Sequence, residues 1–196
     1  MKHTDLLKLP DWPEIAERYA RWIRLLREEV RFSLEGSEAH TRAHCARVLL
    51  HALVIGCRLG LGADELDALG AAAAFHDCRR QDDWLDVGHG ARAAEAYRAY
   101  CAAGKLKYDA RSALAMAWHD RDDADGRAAI EARFPEDPAP AIRIYEVFKD
   151  ADALDRYRLG ESALDPRFLR TTPARELTAF AKQLAGKPVT LRMPES

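Results

Sequence analysis

The sequence predicts an all-α fold, a compact multi-helix array and not a coiled coil. Three observations carry that expectation. Apolar residues recur at helical spacing in segment after segment. Capping residues and stop glycines bracket those segments. No run of strand-like residues of convincing length and no internal repeat interrupts them. At 196 residues and 22.0 kDa the chain suits one domain with a real core.

The first helix is expected from Asp11, with Pro13 in its first turn and Ile15, Tyr19, Trp22, Ile23, Leu26 and Val30 on one face, ending near Glu35-Gly36. Ser37 is a candidate cap for a second helix through HTRAHCARVLLHALVIGCRLG, where Ala46, Leu49, Leu50, Leu53, Val54 and Cys57 form a broad apolar face that Gly60 and Gly62 stop. Asp64 then caps a third helix, with Leu66, Leu69, Ala72 and Ala73 inward, running out at FHD (75–77). After a polar loop, GARAAEAYRAYCAAG reads as a fourth helix closed by Gly104, and Asp109 opens a fifth through RSALAMAWHD. The polar, Pro- and Asp-rich stretch RDDADGRAAIEARFPEDPAP is the longest candidate loop. Pro140 introduces AIRIYEVFKDADALDRYR, and a last helix fits PARELTAFAKQLAG with Thr172 as cap and Pro173 in its first turn.

Composition narrows the function classes. A formal charge of −2 gives no overall basic field for a nucleic acid polymer, although a pocket can be locally basic. No apolar stretch approaches the ~20 residues of a membrane span, so no membrane partner is expected. Four scattered cysteines without a CxxC pair, and an N-terminus unlike a signal peptide, make the cytoplasm the expected location. The aromatics Trp12, Tyr19, Trp22 and Phe32 read as helix-packing residues rather than a base-stacking platform. No Gly-rich phosphate loop, nucleophile elbow or EF-hand spacing is present.

Seven histidines stand against this background, most of them in the middle of the chain. His76-Asp77 closes an alanine-rich helix, whose small residues let neighbouring helices approach and gather polar side chains from separate elements. His40 and His44 are one turn apart and share a helix side. They form either a two-histidine clamp or one ligand with one substrate-contacting partner. In KDADALDRYR, Asp152 lies between Ala151 and Ala153 on an otherwise packed helix, which points it inward, whereas Asp150 lies about 200° around that helix and reads as an outer or solvated group. Imidazole and carboxylate together suit Mn, Fe, Co, Ni or Zn more than Ca.

The order His44, His76-Asp77, Asp152 resembles the HD superfamily of metal-dependent phosphohydrolases, named for its H…HD…D signature. HTRAHCARV is similar to that family's H-x-x-R-V segment, FHDCRR to its HD-containing helix end and KDADALDRYR to its late aspartate helix. The resemblance covers residues 37 to 160. It implies a helical bundle in which His44, His76, Asp77 and Asp152 bind a divalent metal (Mn, Fe, Co, Ni, Zn or Mg). His89 and His119 match the order of a two-metal branch in which the HD aspartate bridges a second ion, so one or two ions are expected, and in one-metal relatives such histidines contact substrate phosphate. Arg80 stands where some nucleotidases of the family carry an acidic residue. The departure argues against their mechanism and leaves two readings for Arg80, a substrate-phosphate contact or a surface salt bridge to Asp82 or Asp83. Arg47 is expected to orient an aspartate or the phosphate. The implied activity is hydrolysis of a nucleotide or other small phosphate ester, with Asp77 and Arg80 catalytic and His40, Arg47 and Arg80 toward substrate. The rival readings are a nucleotide-sensing domain without turnover and a di-iron oxygenase on the same fold. An oligomer is compatible with either.

Overall fold

The computed structural model describes residues 12–34, 37, 41–187 and 189. His3, His40 and the Trp12 side chain lie outside the described residues. Among the described residues there are nine α-helices and no strand: α1 (Trp12–Glu28), α2 (Arg42–Arg58), α3 (Ala63–Phe75), α4 (His89–Ala102), α5 (Ala110–Trp118), α6 (Asp123–Arg133), α7 (Ala139–Asp155), α8 (Thr172–Glu176) and α9 (Thr178–Leu184). None of these helices is long and apolar enough to cross a membrane.

α2 is the axis of the bundle. It packs against α1, α3, α7 and α8, and residues His44 to Gly56 are buried without a break. The apolar face expected from the sequence is therefore the whole circumference, as in a helix enclosed on all sides. The alanines of α3 serve the same end: Ala71, Ala72, Ala73 and Ala74 are all buried, and their short side chains let α3 lie close to α2, α5 and α7 at once. α1 closes the outside with Ile15, Tyr19, Trp22 and Leu26, and Arg18, Arg21 and the Trp22 indole converge on Asp67 of α3.

Several boundaries differ from the sequence expectation, each for a local reason. α1 stops at Glu28, well before the glycine at 36. Thr41, not Ser37, caps α2, its Oγ1 accepting from the His44 amide at 3.3 Å, while Ser37 bonds Asp83. Gly62 rather than Asp64 precedes α3, and Glu65 accepts from the Gly62 amide. The stretch 121–140 is mostly a helix. Asp123 and Asp125 sit in the first turn of α6, where carboxylates favour the helix dipole, Ile130 is fully buried, and Gly126 lies under the Tyr145 hydroxyl, which a Cβ would overlap. The final helix is two short ones meeting at Leu177, with Thr171, not Thr172, as the cap.

One core residue stands apart from this packing. His51 on α2 is buried, its ring edge-on to Phe180, and neither ring nitrogen has a hydrogen-bond partner among the described residues. Burial pushes its pKa down to about 4, so the folded chain keeps it neutral where the unfolded chain, titrating near 6.5, takes a proton. The stability this preference gives is complete above about pH 6.5 and is lost as the pH falls towards 4, by about 3 kcal/mol. His51→Leu is expected to flatten the thermal stability profile between pH 6.5 and 4. It should also raise Tm at pH 7 by a few degrees, because an unsatisfied buried polar group costs about 1–3 kcal/mol. A lower Tm for this variant at pH 7 would show that the imidazole is satisfied.

Candidate metal centre

Five helices deliver polar side chains to one place. His44 lies in the first turn of α2, His76 caps the C-terminus of α3 with Asp77 next to it, His89 opens α4, His119 caps the C-terminus of α5, and Asp152 and Asp155 come from the last turn of α7. Helix ends carry these groups because there the backbone is free to turn the side chain inward and still leave it close to unpaired carbonyls.

The side chains form two clusters with one member in common. In the first, His44 Nε2 is 3.1 Å from His76 Nε2, 3.4 Å from Asp77 Oδ2 and 3.2 Å from Asp152 Oδ1. His76 Nε2 is 3.7 Å from Asp77 Oδ2 and 3.9 Å from Asp152 Oδ1. In the second, His89 Nε2 is 2.9 Å from His119 Nε2 and 3.1 Å from Asp77 Oδ1. Asp77 thus faces one cluster with each carboxylate oxygen. Ligands about 2.1 Å from a shared cation stand about 3 to 3.5 Å from one another, close to most of these spacings.

The other nitrogen of each ring is committed. Nδ1 of His76 lies 3.0 Å from the Ala73 carbonyl, that of His119 2.7 Å from the Met116 carbonyl, and that of His89 2.6 Å from the Asp86 carbonyl. His44 Nδ1 lies 2.7 Å from Asp155 Oδ2, whose carboxylate also takes a bidentate pair from Arg47 Nε (2.6 Å) and Nη2 (2.9 Å). Donation from Nδ1 would leave each Nε2 free to take up a proton or a cation at the centre of its cluster. Such an arrangement calls for positive charge between the rings. Burial pulls His44 down, but its bonds to Asp152 and Asp155 outweigh this and raise it to about 8; burial pulls His76 down to about 3. Burial raises Asp152, yet the hydrogen bond and charge of His44 take it well below the usual carboxylate range. The donor sets His44, His76 and Asp77, and Asp77, His89 and His119, could each hold a divalent cation, with Asp152 beside the first.

The two clusters border a cavity of about 740 Å³. Its lining holds six aspartates against four arginines, a formal −2 with His44, His89 and His119 counted as neutral. Arg80 is buried: Nη1 lies 3.7 Å from Asp77 Oδ1, Nε donates to the Asp82 carbonyl and Nη2 to the Trp84 carbonyl at 2.7 Å. It therefore bonds backbone in the 82–84 turn rather than the Asp82 or Asp83 carboxylates. Arg47 lies outside the cavity wall, its guanidinium taken up by Asp155 and the Lys187 carbonyl, so it orients an aspartate and not a phosphate. Asp150, expected to be outer or solvated, is fully buried and accepts from Arg170 and from the amide and hydroxyl of Thr171, fixing α8 and not the site.

Two acids beside the histidines were given no role by the sequence reading. Asp155 holds His44, and its only sequence signal is a second acid one turn after Asp152. Asp120 accepts from the Gly88 amide, with Oδ2 3.3 Å from His89 Nδ1, and His119-Asp120 repeats the His-Asp adjacency of 76–77. No protein-family model, curated protein or solved structure matches the chain.

Proposed function

We propose that the chain is a metal-dependent phosphohydrolase of the HD type, acting on a nucleotide or another small phosphate ester. His44, His76, Asp77 and Asp152 hold one divalent cation, and Asp77, His89 and His119 hold a second. The observation that carries this reading is the pair of Nε2–Nε2 approaches, 3.1 and 2.9 Å, joined by the two oxygens of Asp77, with each Nδ1 tied elsewhere.

A divalent cation in such a site lowers the pKa of water and polarises a phosphoryl oxygen. The chain's own residues do the rest. Asp77 keeps the two clusters at fixed separation, because one planar carboxylate faces both. Arg80, with Nη1 against the His89 ring and Asp77 and with Nε and Nη2 held by two backbone carbonyls, lines the cavity as a fixed guanidinium whose charge faces a phosphate. Arg121, Arg156 and Arg158 add positive charge along the cavity. The lining's formal −2 repels an anion, whereas the same lining with two divalent cations attracts one, so metal and phosphate are expected to bind cooperatively.

The direct test is to load the purified chain with Mn²⁺, count metal per chain, and measure phosphate release from nucleotides, phosphomonoesters and phosphodiesters. Release from none of these, with a nucleotide bound, would replace the hydrolase with a sensor, and two irons with oxygen consumption would replace it with an oxygenase. The second cluster has its own test. His119→Ala is expected to hold one ion instead of two. Gly90→Ala should do the same indirectly, because a Cβ at 90 overlaps the Met116 carbonyl and lies 2.8 Å from His119 Nδ1, pushing α4 off α5. Two ions retained in both variants would overturn the two-ion reading.

A further inference from the structure

Six large apolar side chains are conspicuously exposed among the described residues, and three of them, Trp84, Val87 and Leu159, line the cavity that holds the histidines. Trp84 is 86% exposed. An apolar patch open to solvent at the border of a polar cleft marks a ligand surface more often than a folding defect. The turn that displays it is firmly built. The Trp84 amide donates to Asp82 Oδ1 at 2.8 Å, and its carbonyl accepts from Arg80 Nη2 at 2.7 Å and from the Asp86 amide at 3.1 Å. Asp86 in turn accepts from the Gln81 amide and, on both carboxylate oxygens, from Arg92 Nη2. The indole is therefore presented by a fixed backbone, already ordered before anything binds.

Arg80 links this platform to the chemistry, since the guanidinium that holds the Trp84 carbonyl also stands 3.7 Å from Asp77 Oδ1. Leu159 borders the same cavity from the turn that follows α7 and carries Arg156 and Arg158. An occupant matched to this wall has an anionic end for the arginines and the cation clusters, and a flat apolar end for the indole.

We infer that Trp84 is a specificity-determining residue that stacks on a flat aromatic group of the substrate, which makes the substrate a phosphate ester of the nucleobase-bearing class rather than a sugar or inorganic phosphate. The inference rests on the phosphohydrolase reading above. Stacking on an aromatic side chain is sequence-tolerant, and its loss weakens binding about 5- to 150-fold.

The test mixes the Mn²⁺-loaded full chain rapidly with adenosine monophosphate, ribose 5-phosphate or inorganic phosphate, so that binding is read before any phosphate is released. Adenosine monophosphate is expected to quench tryptophan fluorescence in the wild type and not in Trp84→Phe. Its dissociation constant should rise about 5- to 150-fold in Trp84→Ala and recover in Trp84→Phe, while that of ribose 5-phosphate stays put. Adenosine monophosphate binding no tighter than ribose 5-phosphate, or equally tightly to Trp84→Ala, overturns the aromatic subsite alone, provided phosphate still binds. Failure of all three probes to bind overturns the phosphohydrolase reading, and the subsite with it.

Discussion

Asp77→Asn is expected to strip both cations from the chain and abolish phosphate release, while helix content stays near that of the wild type. Asp77 is the residue with an oxygen in each cluster: Oδ2 lies 3.4 Å from His44 Nε2, and Oδ1 lies 3.1 Å from His89 Nε2. Asparagine keeps the shape, but gives up the charge and turns one ligand oxygen into an NH₂ donor aimed at a cation. Changing a residue that merely orients a ligand weakens metal binding about 10- to 100-fold, so loss of the shared ligand should exceed 100-fold. Metal per chain after gel filtration, read alongside circular dichroism, checks this. His76→Ala is the companion variant, because the His76 Nε2 faces the first cluster and His76 meets the second only by an edge-on ring contact with His119. Stoichiometric metal retained in both variants would sink the site assignment.

The residues behind that expectation were legible to very different degrees. His76-Asp77 and Asp152 could be picked from adjacency and from their alanine neighbours, whereas His44, His89 and His119 were singled out by the resemblance of their order to the H…HD…D pattern and its two-metal branch. The helices themselves could be read from periodicity wherever one face is polar. Where the environment is buried all round, as in α2, periodicity shows a face and not the enclosure. α6 went unseen because its acids, its glycine and the prolines that follow it resemble loop composition. What makes it a helix is position: Asp123 and Asp125 fall in the first turn, and Ile130 finds a core supplied by other helices. The supporting acids were the hardest to see. Asp155 acts across 111 residues of sequence on His44 and across 108 on Arg47, a relation that only the packing of α2 against α7 creates. Trp84 was invisible for a related reason, since exposure has no sequence signature.

The Asp155 pairing leads to the second large effect. Asp155→Ala removes the acceptor of His44 Nδ1 and leaves the Arg47 guanidinium buried without its carboxylate. Breaking one side of a buried ion pair costs about 3–5 kcal/mol, so a fall in Tm of roughly ten degrees or more is expected. Replacing both partners, Arg47→Met with Asp155→Leu, removes two buried charges together, and such exchanges are close to neutral for stability. The double variant should therefore regain most of the lost Tm. It should not regain metal affinity, because nothing then holds the proton of His44 on Nδ1 and keeps Nε2 turned to the cluster; a loss of about 10- to 100-fold is expected to persist. The split separates two roles that a single substitution confounds. If Asp155 serves only the stability of the α2–α7 contact, affinity and Tm will return together in the double variant. If it positions His44, Tm will return and affinity will not.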